Sequence, residues 1–296
     1  MTAPPTIPPP ECVVCGETAR RFLFERNSHP IVECEGCGLK LVGRRPDKAS
    51  LENLYSRNYF TGMAGKDGYG YADYEREREQ LQINFRERIH FITDRVNGGR
   101  LLDVGCAMGF FLEMLGPEWE KEGVDISDYA ARYAREKLNL NVRTGSFLDL
   151  DFPENSYDAI TMWDAIEHFE NPAAALLKAR QLLKAGGIIL IVTGDAGSLF
   201  ARFCGPRWRL YNPPQHLWFF TRETIHKLLR RHGLEPLATT TTGRTVSRDY
   251  LLFVLSTLLK NSPLRRLAPL LRPALAWKKS FHFNLCDLML VVGVKH

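Results

Sequence analysis

The chain has 296 residues, 45% of them hydrophobic, and a formal net charge of +5. That composition supports a sizeable core, in one large domain with attachments or in two domains. The longest strongly apolar runs, such as Ile188–Val192 and Leu251–Leu255, are far too short to cross a bilayer.

The opening residues, MTAPPTIPPP, have no basic start and no apolar run. They read as a flexible proline-rich arm over 1–10, not a signal peptide, and a cytoplasmic protein is expected. Four of the seven cysteines follow in pairs, Cys12-x-x-Cys15 and Cys34-x-x-Cys37. A cytosolic chain seldom keeps disulfides, so the pairs predict a four-cysteine zinc ribbon over 11–45. Two intervening residues let a tight turn aim both sulfurs at one ion, and two such turns close a tetrahedral shell. A closed shell leaves no position for water, so this zinc is expected to be structural. The stretch RRFLFERNSHPIVE alternates as strands do. Arg20, Arg21 and Arg26 are read as the solvated face of the ribbon more readily than as contacts to an anion.

Residues 46–97 are expected to be a linker and a lead-in helix. LYSRNYF and the glycine-rich TGMAGKDGYGYADY look like a mobile connection, whose Tyr69, Tyr71 and Tyr74 could fold over a site on the domain that follows. Leu81, Phe85, Ile89, Ile92 and Val96 recur at helical spacing, and Gly98 and Gly99 are expected to end that helix.

From residue 98 onward strands and helices alternate. Strands are predicted at 101–104, 121–125, 141–144, 157–163 and 187–193, then in LEPLATTTT and in NLCDLMLVVGVK. Helices are predicted to start at Ser127, at Asn171 with Pro172, and at Thr221. Regular alternation implies a parallel α/β sheet covered by helices.

The stretch LDVGCAMGFF, 102–111, is a strand, a tight turn and a helix start. Such a turn places backbone N–H groups and a helix N-terminus against a ligand. The dinucleotide fingerprint would demand glycine at 107 and 110, where Ala107 and Phe110 stand, so NAD and FAD are disfavoured. Asp103, Gly105, Ala107 and Gly109 resemble instead the first motif of class I S-adenosylmethionine-dependent methyltransferases, with alanine replacing the middle glycine. The resemblance runs along most of 100–240. It implies a Rossmann-like seven-stranded sheet and S-adenosylmethionine as cofactor. It further implies that Asp125 accepts from the ribose hydroxyls and that Ile126 lies against adenine. Ser146 and Phe147 match the adenine-edge positions, although an acid is frequent where Ser146 stands. Trp163 and Asp164 would border the methionine end. Cys106 falls within the same glycine turn and is counted with the cofactor residues.

The segment over 195–221 is long, rich in aromatics and holds two prolines in a row, and is expected to cap the acceptor pocket. His216 is the candidate general base, with Tyr211 beside it and Trp208 shaping the pocket. A structural role for His216 is weighted slightly above the catalytic one, and His168 is assigned to the architecture. The last region of note is a predicted helical insert over 244–282. From Arg244 to Lys279 eight basic residues face one acid, so the segment carries +7 and the remainder −2. The insert could rest on a membrane surface or recognise a phosphorylated or lipid-linked acceptor; a cap with a solvated basic face is slightly favoured.

The leading reading is a methyltransferase for a small-molecule acceptor, whether sugar, glycan precursor or secondary metabolite, on oxygen or carbon. An RNA methyltransferase would need a basic track from ribbon to site, and the charge lies mostly at the other end of the chain, so nucleic acid is disfavoured. A non-catalytic scaffold would have no need of Asp125 and the glycine turn.

Overall fold

The computed structural model describes residues 6–7, 11–46, 54–61, 73–252 and 279–296. Its N-terminal unit is a small antiparallel sheet. Strands β1 (Arg20–Arg26) and β2 (His29–Cys34) form a hairpin, and β3 (Lys40–Val42) adds to β2. Within the predicted arm, Thr6–Ile7 pairs with Arg45–Pro46; the rest of the arm lies outside the described residues. Helix α1 (Arg57–Thr61) lies in the stretch read as a mobile connection.

The lead-in helix α2 spans Arg78–Thr93, with Phe85 and Ile92 buried. It stops before the glycine pair expected to end it. Gly99 instead opens strand β4 (Gly99–Val104), where a Cβ would meet Asp158 Oδ2 at 2.3 Å. Glycine is needed there for close approach between strands.

The main sheet then builds in order. Helix α3 (Phe110–Met114) follows β4, then β5 (Trp119–Asp125), α4 (Asp128–Leu138), β6 (Asn141–Thr144) and β7 (Tyr157–Trp163). Next come α5 (Pro172–Leu182) and β8 (Leu183–Gly194). The cap holds the short helix α6 (Leu199–Cys204) and strand β9 (Trp218–Phe219). Helix α7 (Arg222–Arg231) and β10 (Leu234–Thr241) complete one edge. The predicted caps form: the side chains of Ser127, Asn171 and Thr221 accept from the amides of Ala130, Ala174 and Thr224.

Beyond β10, β11 (Arg244–Ser247) pairs antiparallel with β12 (Ser280–Phe283). The ends of the predicted insert are thus strands, and most of its length lies outside the described residues. The last strand, β13 (Leu288–Lys295), inserts antiparallel between β8 and β10. The seven-stranded order is β10-β13-β8-β7-β4-β5-β6. Strands β4 to β8 are mutually parallel where they pair. In β8 the run from Ile188 to Val192 is wholly buried, as expected of a strand covered on both faces. The chain reverses direction across the sheet between β4 and β7. That opens a crevice at their carboxyl ends, where open α/β sheets bind ligands.

The ribbon is welded to this sheet domain. Strand β9 pairs with β3, so the cap supplies the fourth strand of the ribbon's sheet. Cys12, Cys34, Leu39 and Leu41 share one buried cluster with Met162, Ile191 and Trp218. Arg231 Nη1 donates to the Val14 carbonyl at 2.9 Å, and Arg45 Nη1 donates to the Glu170 carbonyl at 2.6 Å. Among the described residues, no helix is long and apolar enough to cross a membrane.

Candidate active site

A cavity of about 900 Å³ opens at the carboxyl ends of the parallel strands. Gly105, Ala107, Asp125, Ile126, Ser146, Phe147, Trp163 and Asp164 all line it, so loops after four different strands converge as predicted. Asp125 is its best-defined polar group. Its Oδ1 accepts from the Ser127 amide and its Oδ2 from the Ala107 amide, both at 2.8 Å. Burial pushes this carboxyl up to about 6, against the pull of those two amides.

The alanine in the glycine turn now has a physical account. Ala107 has φ of 49°, the left-handed region that favours glycine. In that conformation its amide points at Asp125. The extra methyl therefore costs backbone strain but leaves the carboxylate anchor intact. Ala107→Gly is expected to keep cofactor affinity and raise stability by up to about 1 kcal/mol, measured by urea denaturation.

Asp103, Cys106 and Gly109 do not line the cavity. Asp103 is 1% exposed, and its Oδ1 accepts from Thr161 Oγ1 at 2.7 Å, tying β4 to β7 beneath the floor. Burial raises it to about 7. The Cys106 thiol packs against β5, close enough that a Cβ on Gly123 would meet it at 2.8 Å. Gly109 caps α3 with φ of 79°, and a Cβ there would meet Leu140 at 2.6 Å. These three shape the turn from behind.

The turn after β7 carries a carboxyl pair with opposed environments. Asp164, at φ of 50°, receives Arg244 Nη2 at 3.0 Å. Although burial opposes it, the nearby Arg244 and Arg88 hold this carboxyl below its ordinary value. Glu167 is 3% exposed and accepts from Thr193 Oγ1 at 2.9 Å. Burial and the Asp164 charge push its carboxyl up from the ordinary glutamate range, toward the neutral form. Asp164 is therefore the anion of the pair.

His216 lines the cavity. Its Nδ1 lies 2.8 Å from the Leu210 carbonyl. A carbonyl only accepts, so Nδ1 carries the hydrogen and Nε2 keeps its lone pair. Burial and the neighbouring His168 push the imidazole down to about 3. His216 is thus a neutral hydrogen-bond acceptor across the working pH range and a weak proton acceptor. The His168 ring meets it edge-on with centroids 4.8 Å apart. His168 Nδ1 lies 2.7 Å from Tyr55 Oη and 3.0 Å from the Gln215 carbonyl. It links the lead-in segment to the cap, an architectural role.

Tyr211 and Trp208 do not reach the cavity lining. Tyr211 is 4% exposed and packs edge-on against Phe24 and Phe219. Trp208 Nε1 donates to Asp287 Oδ2 at 2.8 Å. Both are anchors of the cap, because their rings fill the joint between cap and ribbon.

Several lining residues escaped the sequence reading. Tyr55, Tyr59 and Phe60 come from the stretch taken as a mobile connection; Tyr74, which the sequence did single out, also lines the cavity and stacks on Phe110 at 5.5 Å. Tyr69 and Tyr71 lie outside the described residues. Asn84 and Arg88 come from α2. The Asn84 amide bonds both the carbonyl and the N–H of Thr245, at 3.0 and 2.6 Å, which carries Arg244 into the site. In the sequence Arg244 reads only as the first cation of the basic insert. Helical periodicity marked the apolar face of α2 but gave no sign that its polar residues faced a ligand.

In the ribbon, Cys12 Sγ lies 3.5 Å from Cys37 Sγ, and Cys15 Sγ 3.5 Å from Cys34 Sγ. All four sulfurs lie within 4.8 Å of one another. Bonds of about 2.3 Å in a tetrahedron put sulfurs roughly 3.8 Å apart, so the set fits one zinc ion. Glu167, His168 and His216 also bring ligand atoms within 4.8 Å. There burial pushes the Glu167 carboxyl toward its neutral form, and both imidazole Nδ1 atoms are engaged.

Comparison with known proteins agrees with this geometry. Residues 74–239, more than half of the chain, match the methyltransferase domain family. The ubiquinone biosynthesis O-methyltransferase of Cereibacter sphaeroides is 29% identical over 156 residues, covering 47% of this chain and 62% of that protein. The demethylmenaquinone methyltransferase of Symbiobacterium thermophilum is 25% identical over 173 residues, covering 54% of this chain and 66% of that protein. The chain thus spans less than two thirds of these relatives. A solved S-adenosylmethionine-dependent methyltransferase of Thermotoga maritima superposes with a TM-score of 0.54 at 18% identity, over 83% of this chain and 100% of the other. The family match covers the turn after β4, the acid ending β5 and the turn after β7, and with them the chain belongs to the S-adenosylmethionine-dependent methyltransferase family.

Proposed function

We propose that this protein transfers a methyl group from S-adenosylmethionine to oxygen or carbon of a small-molecule acceptor, such as a sugar, a glycan precursor or a secondary metabolite. The observation that carries this reading is one continuous cavity. It runs from Asp125 and Ile126 to His216 and Arg244, and its volume of about 900 Å³ is large for one ligand. Cofactor and a modest acceptor can share it, which supports the small-molecule reading. The relatives named for quinone pathways favour a small acceptor as well.

Asp125 would accept from the ribose hydroxyls, Ile126 and Phe147 would flank the adenine, and Asp164 would face the methionine end. The sulfonium of the cofactor supplies an already activated methyl group. The chain's own task is then alignment in a site shielded from water. His216, neutral and with Nε2 unprotonated, would orient an acceptor hydroxyl by accepting its hydrogen bond. With its imidazole near 3, it would not hold a full proton. The four ribbon cysteines would hold a structural zinc ion.

Calorimetric titration with S-adenosylmethionine and S-adenosylhomocysteine tests the cofactor assignment, and an acceptor screen starting with sugar nucleotides and lipid-linked glycans follows it. Absence of binding by folded, zinc-loaded protein would sink the reading.

A pH series adds a second check. The Asp125 carboxyl sits near 6, and ribose hydroxyls need its ionised form. S-adenosylhomocysteine affinity should be level above that pH and fall below it, by up to about tenfold per pH unit. In Asp125→Asn the fall below 6 should vanish. A wild-type profile flat from 5 to 8 would contradict the assignment.

A further inference from the structure

The ribbon reaches into the cavity. Arg26 and Asn27, at the turn between β1 and β2, both line it. Asn27 and Ser28 have φ of 49° and 61°, the left-handed pair that closes a tight hairpin. The tip is fastened to the cap. Asn27 Nδ2 donates to the Pro213 carbonyl at 3.0 Å, and Arg26 Nε donates to the Tyr211 carbonyl at 3.3 Å. Tyr211 is itself wedged edge-on against Phe24 of β1 at 5.0 Å. The guanidinium is therefore held through Nε.

The arginines of the cavity differ in their partners. Arg244 pairs with Asp164 at 3.0 Å, and Arg88 adds its charge to the same carboxylate. Arg209 pairs with Asp287 at 3.0 Å. For Arg26, the described residues supply a carbonyl at Nε and no carboxylate partner. A second, independent observation lies on the cap. Gln215 is 3% exposed and lines the same cavity. Its Oε1 accepts from Asn212 Nδ2 at 2.7 Å, whereas its Nε2 has no acceptor. A buried donor left unfilled is costly unless a ligand fills it. The cavity is thus lined by an arginine with no carboxylate partner among the described residues and by a glutamine whose buried amide donor has no acceptor. An oxygen acceptor suits both, and an anionic one suits the arginine best.

We propose that the hairpin tip of the cysteine ribbon is one wall of the acceptor pocket, and that Arg26, assisted by Gln215, binds an anionic group of the acceptor, a phosphate or a carboxylate. This rests on reading the cavity as the methyl-transfer site. It gives the ribbon a part in substrate choice beyond its structural role, and it makes Arg26 a specificity-determining residue.

The test is calorimetric titration of the full, zinc-loaded chain, saturated with S-adenosylhomocysteine so that the cofactor's own carboxylate position is filled. The probes are inorganic pyrophosphate and acetate. Wild type should bind at least one of them, and Arg26→Ala should bind it at least tenfold more weakly. The variant should keep its melting temperature and its S-adenosylhomocysteine affinity. Arg202→Ala, on the exposed face of α6, should match wild type. Tighter pyrophosphate than acetate assigns a phosphorylated acceptor, and the reverse assigns a carboxylate. Equal binding by wild type and Arg26→Ala, or no binding of either anion by wild type, overturns the proposal. If wild type fails to bind S-adenosylhomocysteine, the methyltransferase reading falls on that result alone. The anion titration of the cofactor-free protein then still decides the Arg26 assignment.

Discussion

Asp125→Ala is expected to weaken S-adenosylhomocysteine binding by two orders of magnitude or more. The carboxylate ends β5 at 8% exposure, inside the cavity. A hydrogen bond to a charged acceptor contributes about 1.5–3 kcal/mol, and two ribose hydroxyls would use one each. The substitution also removes the acceptor of the Ala107 and Ser127 amides. The glycine turn would lose its tether, so part of the effect is loss of preorganisation. Asp125→Asn should fall between, because the amide keeps one acceptor oxygen. Calorimetry on both variants separates the two contributions. An Asp125→Ala protein that is well folded and binds within threefold of wild type would remove Asp125 from the cofactor site.

Removing zinc should have the largest effect on stability, and its effect on function should be selective. Cys34→Ser is expected to abolish zinc uptake, read by metal analysis. It should also lower the melting temperature by roughly 10 °C or more, since structural zinc sites contribute several kcal/mol to folding. The ribbon is not expected to unfold alone. Trp218 and Phe219 of the cap are hydrogen-bonded into its sheet, and the Val42 amide donates to the Leu217 carbonyl at 2.9 Å. Loss of the ribbon would free the neighbouring Gln215 and His216. Asp125 and the β4 turn are held by the main sheet instead. Below the melting temperature, S-adenosylhomocysteine should still bind within about tenfold, while methyl transfer is lost. A zinc-free protein that melts like wild type would show that the ribbon's fold does not depend on the metal.

Much of the architecture is legible in the sequence. The strands at 141–144 and 157–163 stand at their predicted ends, because period-two and continuous apolar runs bounded by turns are local signals. The caps at Ser127, Asn171 and Thr221 are equally local, each a short polar side chain facing its own helix N-terminus. The cysteine pairs announced through spacing alone that four sulfurs would converge. The glycine turn and Asp125 were recognisable through their resemblance to ordered motifs of the methyltransferase family.

Tertiary structure decided the acceptor side. Arg26, Arg88 and Arg244 lie far apart in sequence, and each reads locally as an ordinary surface charge. They meet in one cavity because the ribbon tip docks on the cap, α2 crosses the sheet and Asn84 holds the backbone of β11. Tyr211 and Trp208 read as pocket residues and proved to be joints, because an aromatic ring carries no local sign of the face it will bury. Sequence fixes what each segment can become through short-range sterics and hydrogen bonding. Which polar groups share a ligand depends on long-range packing, and no local pattern encodes it.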